Sequence, residues 1–310
     1  MSARLFRIAA GALLCLGGLH AQPSALSAIY QGTFPRPDAP VTLERASGIS
    51  VDSRGTVYVV DPGRHQLLTF APDGRFLEST GGFGQSAEQF DGPRDVFAQT
   101  TLDVYVADYH NNRVVRFDKN LNYLNDLAAR WPEPYDFFQV LSVAVSSQYD
   151  LFLLEDGNKT VIRFSRSSQP TAVFGGINDP VGQLLEPHQL AVQGSRRVFV
   201  SDPGQGVVVI FDYLGSYLGE LRHPELNAPT GLHWGDDEQL YVVDGKDGDI
   251  GIFNDALKWV GMIRFPAGKR EPWVDCAVHF ARGGDATTLY ALAPDRVSRF
   301  LLASGSAGPE

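Results

Sequence analysis

Cysteine and basic residues are scarce in this sequence, and each shortage excludes classes of protein. Only two cysteines occur among 310 residues, so the fold cannot rest on a disulfide framework. Lysine and arginine number 26 against 36 aspartates and glutamates, a formal net charge of −10. Nucleic-acid binding depends chiefly on Lys and Arg, and so does attraction to an anionic membrane surface. We therefore expect neither partner.

Long apolar runs are also missing, except near the start of the chain. Arg4 and Arg7 precede an apolar run that extends from Ile8 to Leu19, and a small residue, Ala21, follows shortly afterwards. This pattern is typical of a cleaved export signal, which we assign to residues 1–21. The run is short for a membrane span. We predict a periplasmic or extracellular protein that is not inserted in a membrane after cleavage.

Two other interpretations of the N-terminus remain open. The signal could stay uncleaved as a membrane anchor, or Cys15 could carry a lipid, although the preceding Leu14 is not the small residue that a lipoprotein signal favours. Cleavage would leave Cys276 as the single cysteine. It stands in an apolar stretch, which favours a buried side chain over a reactive thiol.

What the sequence does contain is a repeat. A short apolar-aromatic run that ends in an acid recurs with its Tyr or Phe spaced by 47, 47, 47, 42 and 49 residues. A period of this size indicates an array of supersecondary units. The copies are Val57–Asp61, Val104–Asp108, Leu151–Glu155, Val198–Asp202 and Leu240–Asp244, with a degraded sixth copy at Leu289–Leu292.

Two further runs recur with the same period, and each reads as a strand. One ends in Phe: Leu67–Phe70, Val114–Phe117, Val161–Phe164, Val208–Phe211, Ile250–Phe253 and Val297–Phe300. The other precedes the acid-ending run: Gly48–Val51, Asp95–Ala98, Ser142–Val145, Gln189–Val192, Gly231–Trp234 and Asp275–Val278.

A looser fourth strand follows each Phe, as in Arg75–Thr80 and Ser216–Leu221. Four strands repeated every 40–50 residues predict an all-β fold, a six-bladed β-propeller of four-stranded blades over residues 22–302. Residues 28–34 read as a strand before the first blade, and we expect them to become the outer strand of blade six and close the ring. The last residues, 303–310, are predicted to form a flexible tail.

Two segments resemble NHL repeats. They are Asp108–Phe117 and the glycine-rich stretch Gly81–Gln85 that is followed by Pro93. The resemblance covers about residues 35–300. It implies the propeller fold but little about function, because that family includes RNA binders, protein-interaction modules and a few enzymes, and fold alone does not assign function.

The acids that end the second strands have a structural explanation. Each precedes a turn rich in Gly, Asn or Pro, where a carboxylate can accept backbone N–H groups and fix the turn. We predict this role, and a core role for the repeated Tyr and Phe residues, in place of catalysis. The acids are Asp61, Asp108, Glu155, Asp202 and Asp244.

The residues just before each innermost strand should line the mouth of the central channel, and they do not repeat in type. They are Ser47, Arg94, Leu141, His188 and Thr230, with Val274 or Asp275 as the sixth. Arg94 can pair with a carboxylate or phosphate, His188 can serve as a general base or metal ligand, and Asp275 can be the acidic partner. Alternatively Arg94, Asp95 and Asp275 pair with one another and plug the channel.

One enzymatic alternative rests on His188. Glu186–Leu190 is similar to the Pro-His-x-Leu signature of peptidyl-hydroxyglycine lyases, which are propellers with a zinc held by three histidines. No histidine stands at the equivalent positions of the other blades, so His188 is the one residue carried over, and we expect no resident metal or other cofactor. Lactonase-type propellers hold calcium with carboxylates, and only Asp275 offers one at the channel positions.

The leading hypothesis is an exported, non-enzymatic and monomeric propeller that binds a protein, peptide or glycan on one rim. The loop 130–138 between blades two and three carries Trp131, Phe137 and Arg130, residue types that are enriched at interface hot spots. Burial of this loop over a blade edge is the alternative. The rival function is a hydrolase or lyase, related to the lyases or lactonases above, that works in the channel with His188, Arg94 and Asp275.

Overall fold

The computed structural model describes residues 28–100, 102–265, 273–281 and 287–302. The predicted signal peptide and C-terminal tail lie outside these ranges. Within them the chain forms six antiparallel sheets of four strands each and no helix. The described residues accordingly contain no helix that is long and apolar enough to span a membrane.

The strands follow one another in chain order. Blade one is β2 (Gly48–Val51), β3 (Val57–Asp61), β4 (Gln66–Phe70) and β5 (Phe76–Gly81); blade two is β6 (Pro93–Phe97), β7 (Asp103–Asp108), β8 (Arg113–Asp118) and β9 (Tyr123–Ala128); blade three is β10 (Val140–Val145), β11 (Leu151–Glu155), β12 (Thr160–Phe164) and β13 (Pro170–Gly175); blade four is β14 (Leu190–Gln193), β15 (Arg197–Asp202), β16 (Val207–Asp212) and β17 (Tyr217–Leu221); blade five is β18 (Pro229–Trp234), β19 (Gln239–Asp244), β20 (Ile250–Asn254) and β21 (Trp259–Ile263); blade six is β22 (Asp275–Phe280), β23 (Thr287–Ala293), β24 (Arg296–Leu302) and β1 (Ala28–Phe34).

The predicted fold is confirmed. Blades one to five pair their strands in sequence from the innermost to the outermost, and in blade six β1 takes the outermost place. The three repeated runs form the three inner strands of every blade. The second and third strands are mostly buried, whereas the outermost strands of all blades except blade five consist mainly of exposed and half-buried residues. Blade edges that face solvent need polar residues on their outer surface.

The ring closes through the N-terminal strand, as the sequence predicts. Strand β1 pairs antiparallel with β24, from Ala28 opposite Leu302 to Phe34 opposite Val297, with a bulge between Tyr30 and Gly32. The two ends of the described chain therefore complete one blade. This pairing removes the exposed edge that β24 would otherwise present.

The core lies between neighbouring blades. Phe34, at the end of β1, packs with its ring centroid 5.0 Å from Phe70 of blade one and 6.2 Å from Tyr290 of blade six. Most of the repeated Tyr and Phe residues are buried in such contacts, and Tyr105 is half-buried. Their predicted core role is confirmed.

The predicted structural role of the strand-ending acids is also confirmed. Asp61 is fully buried and accepts the backbone N–H groups of Glu44, Arg45 and Gly63. Asp202 and Asp244 bind the equivalent loop and turn amides in blades four and five. Each acid thus ties the connection from the previous blade to the turn of its own blade.

Replacing Phe34 by alanine should lower the free energy of unfolding by about 3–5 kcal/mol, because it removes a buried ring at the closure of the propeller. Tyr30→Ala, on the same strand but 58 % exposed, is the matched control and should cost about 1 kcal/mol or less. Urea unfolding of both variants tests this. Equal losses would show that the strand contributes no more at its buried end than at its exposed one.

Candidate functional site

Six equivalent positions, one on each blade, surround the channel axis. They lie opposite the residue that precedes each strand-ending acid, as in the pairs Gly48–Val60 and Asp275–Leu292. Side chains of two sizes alternate around the ring at these positions. Blades one, three and five carry Gly48, Ser142 and Gly231, while blades two, four and six carry Asp95, Gln189 and Asp275.

The three larger side chains meet across the channel. The Nε2 group of Gln189 donates to Oδ1 of Asp95 at 3.3 Å and to Oδ2 of Asp275 at 3.0 Å. All three residues are buried. We call these three residues the polar plug, because they span the channel and close it at this level.

The small residues make room for the plug. A Cβ atom on Gly48 would lie 2.8 Å from the Cα of Asp95, and one on Gly231 would lie 2.6 Å from the Cα of Asp275. Such distances are not tolerated between non-bonded carbons. The glycines therefore allow the inner strands of neighbouring blades to approach each other closely.

The plug also satisfies backbone groups that face the channel. The N–H groups of Ile49, Val143 and Leu232 donate to Asp275, Asp95 and Gln189, each on the preceding blade. In blade four the N–H of Leu190 donates to the Ser142 hydroxyl.

Blades two and six each follow a blade that has a glycine at this position, and a glycine offers no side-chain acceptor. There the N–H groups of Val96 and Cys276 donate to the carboxylates of Asp95 and Asp275, the residues immediately before them. Every channel-facing N–H of this layer therefore has a partner, as buried backbone groups require.

Burial raises the pKa of both plug carboxyls. The pKa of Asp95 rises to about 6, opposed by hydrogen bonds from Ser142 and from the Val143 and Val96 amides. The pKa of Asp275 rises well above its usual value because of burial and then because of the nearby charge of Asp95. Both carboxylates accept hydrogen bonds from backbone amides and from the Gln189 side chain, and Asp95 also accepts one from Ser142. These structural bonds leave neither carboxylate free for chemistry.

Above the plug, the predicted mouth residues are brought together. Ser47, Arg94, Leu141 and His188 line a cavity of about 10 Å³ whose floor is Asp95 and Gln189. This volume is roughly that of one water molecule. Thr230 belongs to the same ring, and its carbonyl accepts the Ser201 hydroxyl at 2.6 Å.

Asp275 does not belong to the mouth. It aligns with Gly48 and Asp95 in the layer below, so Val274 is the sixth mouth residue. The predicted trio of His188, Arg94 and Asp275 is therefore not a single constellation. The alternative that Arg94, Asp95 and Asp275 pair with one another is half right, because Gln189 joins the two carboxylates and Arg94 takes no part.

His188 is held neutral. Burial and then the charge of Arg94 lower its pKa to about 4, although a hydrogen bond with the Thr230 backbone opposes the change. Its Nδ1 atom is buried and has no hydrogen-bond partner. A neutral imidazole can act as a base or a ligand, but the described residues contain no group of three His, Cys, Asp or Glu placed to hold a metal ion.

Arg94 lies over an aromatic ring at the mouth. Its guanidinium carbon is 5.7 Å from the ring centroid of Tyr109, a cation–π distance. The Tyr109 hydroxyl donates to Asp156 at 2.6 Å, and Asp156 pairs with Lys159. This network leads from the mouth outward to the turn between the second and third strands of blade three.

The loop 130–138 packs on blade three, which corrects one predicted binding residue. Phe137 is fully buried and its ring contacts Phe164, so it is a core residue and not an exposed contact. Trp131 is half-buried against the same Phe164 ring, with centroids 5.7 Å apart. The exposed aromatic residue of this loop is Phe138, at 51 %.

Sequence reasoning offered a plug containing Asp95 and Asp275 as an alternative but missed Gln189, although a signal for it was present. Gly48, Asp95, Ser142, Gln189, Gly231 and Asp275 are equivalent positions of the repeat, and their alternation in size can be read once the blades are aligned. What the alignment does not show is that Gln189 reaches both carboxylates across the axis.

The same propeller architecture occurs in solved enzyme structures. A putative gluconolactonase is 14 % identical, with a TM-score of 0.66, and the match covers 90 % of this chain and 93 % of that one. A gluconolactonase from Xanthomonas campestris gives 14 % identity and a TM-score of 0.62, covering 84 % of this chain and 87 % of that one.

A catalytically inactive virginiamycin B lyase from Staphylococcus aureus, solved with quinupristin, gives 12 % identity, a TM-score of 0.61, and coverage of 88 % of this chain and 99 % of that one. No protein-family model and no curated protein sequence matches the chain. At these identities the similarity shows the six-bladed propeller fold alone.

His188→Gln should change how stability depends on pH. An unfolded histidine has a pKa of 6.5 and the folded His188 about 4, so between these values the unfolded chain alone binds the proton. The stability that this histidine contributes is present above about pH 6.5 and is lost as the pH falls. The free energy of unfolding of wild type minus that of the variant should fall by up to about 1.4 kcal/mol per pH unit.

Urea unfolding of both proteins between about pH 7 and pH 4.5 measures this difference. His110→Gln is the matched control for the loss of an imidazole, since that side chain is 54 % exposed. A constant difference between wild type and His188→Gln across the range would contradict a buried neutral histidine.

Proposed function

We propose that this chain is an exported, NHL-like propeller that binds a protein, peptide or glycan on the rim where its inner strands begin, here called the mouth rim. The observation that carries the proposal is the polar plug. Gln189 and the two aspartates fill the channel and leave about 10 Å³ at its mouth. Substrate sites for small molecules are usually hundreds of Å³.

The mouth rim offers apolar contacts instead. Phe138 packs its Cβ side near Gly157, and the amide of Ile177 donates to Asn158, so the two side chains flank the same turn of blade three. They are 51 % exposed each. Exposed apolar residues grouped beside polar ones favour a protein or peptide contact.

Export remains a part of the proposal that rests on the N-terminal sequence. The acidic composition supports a soluble role away from nucleic acid and anionic membranes. Cys276 is a free, buried thiol that packs in the core between blades five and six. It therefore contributes to stability by packing and not through a disulfide.

Partner capture from a cell-envelope extract, quantified by mass spectrometry, tests the rim. The double variant Phe138→Ala with Ile177→Ala should capture at least about tenfold less of any specific partner, since truncated anchors in an interface commonly cost more than 1 kcal/mol each. Leu214→Ala with Leu218→Ala is the matched control, because these leucines are 68 % and 54 % exposed but lie on the opposite rim and on an outer strand. Equal capture by both double variants would reject the mouth rim.

A second candidate function is a hydrolase or lyase at the channel mouth. The propeller lyases and lactonases among the similar structures support it, as does a neutral His188 beside Arg94. The imidazole would be the base and the guanidinium would bind an anionic group.

Metal content and activity toward lactones and peptidyl-hydroxyglycine substrates test this candidate. It requires turnover, with or without about one metal ion per chain, that His188→Ala abolishes and His110→Ala leaves intact. Absence of turnover in the folded wild-type chain would favour the binding function.

A further inference from the structure

Arg94 differs from the other buried or half-buried arginines of the described chain. Each of those donates to an oxygen: Arg113 to Asp108, Arg116 to Asp103 and Arg197 to the carbonyl of Asp255 are examples. Arg94 is half-buried, and its guanidinium has no hydrogen-bond acceptor among the described residues. It lies over the ring of Tyr109 and interacts with Asp156 through charge alone.

The nearest carboxylates do not supply that acceptor. Both oxygens of Asp95 are occupied by Gln189, Ser142 and two backbone amides. Asp156 is held by Tyr109 and Lys159. No Arg94 nitrogen is among the buried polar atoms of the described residues that lack a partner, so the guanidinium donors are open to solvent and can bind a group from outside the fold.

The chemistry of the mouth favours a carboxylate over a phosphate. One guanidinium matches one carboxylate in charge and in its planar, two-point geometry. A phosphate dianion would need a second cation. The other basic group in the mouth, His188, is neutral near pH 7 because its pKa is about 4.

The surroundings favour a peptide as the source of that carboxylate. Tyr109, which contacts Arg94, bonds to Asp156, and the Asp156 amide donates to the carbonyl of Phe138 at 3.2 Å. The exposed Phe138 is therefore bonded directly to this network, and the exposed Ile177 is bonded to Asn158 in the same turn. A chain with apolar side chains next to a carboxylate fits both features, whereas a sugar acid would leave the apolar side chains uncovered.

We propose that Arg94 forms a carboxylate-binding subsite at the outer opening of the channel mouth, above the cavity of about 10 Å³. There it pairs with the carboxylate of an apolar peptide whose side chains lie on Phe138 and Ile177. This inference rests on the proposed rim-binding function and names its ligand class. The carboxylate can be the C-terminus of the peptide or an acidic side chain, since the guanidinium recognises the same group in both.

Titration of the purified chain with short peptides tests the subsite, with the Nε–H resonance of Arg94 as the readout. The probes are N-acetyl-Leu-Phe-Leu with a free C-terminus, the same peptide as its amide, N-acetyl-Leu-Glu-Leu-amide, and galacturonate. We expect saturable shifts below ~20 mM with at least one carboxylate peptide, and at least about tenfold weaker binding of the uncharged amide.

Variants of Arg94 test whether the carboxylate of the peptide binds at this guanidinium. Arg94→Met should weaken binding of the carboxylate peptide by at least about tenfold, to the level of the amide, and Arg94→Lys should restore only part of it because the planar fork is lost. Arg45→Met is the matched control on the mouth rim, since Arg45 is exposed, and it should bind like wild type. Should Arg94→Met fold poorly, the comparison of acid and amide on the wild-type chain decides the question by itself.

Each other outcome overturns the inference. Equal binding of acid and amide would remove the role of the carboxylate, binding of galacturonate alone would replace the peptide by a glycan, and no saturable shift would remove the subsite. Failure of the proposed rim-binding function would look different from failure of this inference. Peptides would still bind through Arg94, but the double variant Phe138→Ala with Ile177→Ala would capture as much partner as wild type.

Discussion

The structure depends on one constraint, which is that the innermost strands present backbone N–H groups to the channel with no further strand to accept them. Four side chains resolve it. Asp95, Ser142, Gln189 and Asp275 accept six such groups between them, and Gln189 also ties the two carboxylates together. Because a buried unpaired N–H is costly, the polar plug is as much a part of the fold as the apolar core.

This solution determines what the axis can do. Carboxylates that hold backbone groups together cannot also hold a metal or activate a nucleophile without exposing those groups. Asp275 holds Ile49 and Gln189 in this way. His188 and Arg94 lie above it and line a cavity of about 10 Å³. The groups that remain available lie at the surface of the mouth rim. There the guanidinium of Arg94, which has no hydrogen-bond acceptor among the described residues, is connected through Tyr109 and Asp156 to the exposed Phe138. This arrangement supports the recognition function that we propose over catalysis in the channel.

The sequence predicted the fold in detail, because the strand patterns recur in six blades and the strand-ending acids in five of them. The segment 28–34 adds the one strand that the sixth blade would otherwise lack. It predicted the site less well. The spacing located Arg94 and His188 at the mouth, but Asp275 was one residue too far along, in the plug layer. Phe137 and Phe138 are neighbours with opposite burial, 0 % and 51 %, and a loop without a repeat gives no signal for which of them faces the core.

The most direct test of this account is hydrogen exchange at the backbone amides of Ile49, Val143 and Leu232, measured by NMR on the native chain. Their partners are side chains of the preceding blade. If the plug closes the channel, these amides should exchange as slowly as those in the buried second strands, such as Val59. Exchange as fast as that of exposed loop amides would mean that water fills the channel, which would contradict an axis closed to chemistry by the polar plug.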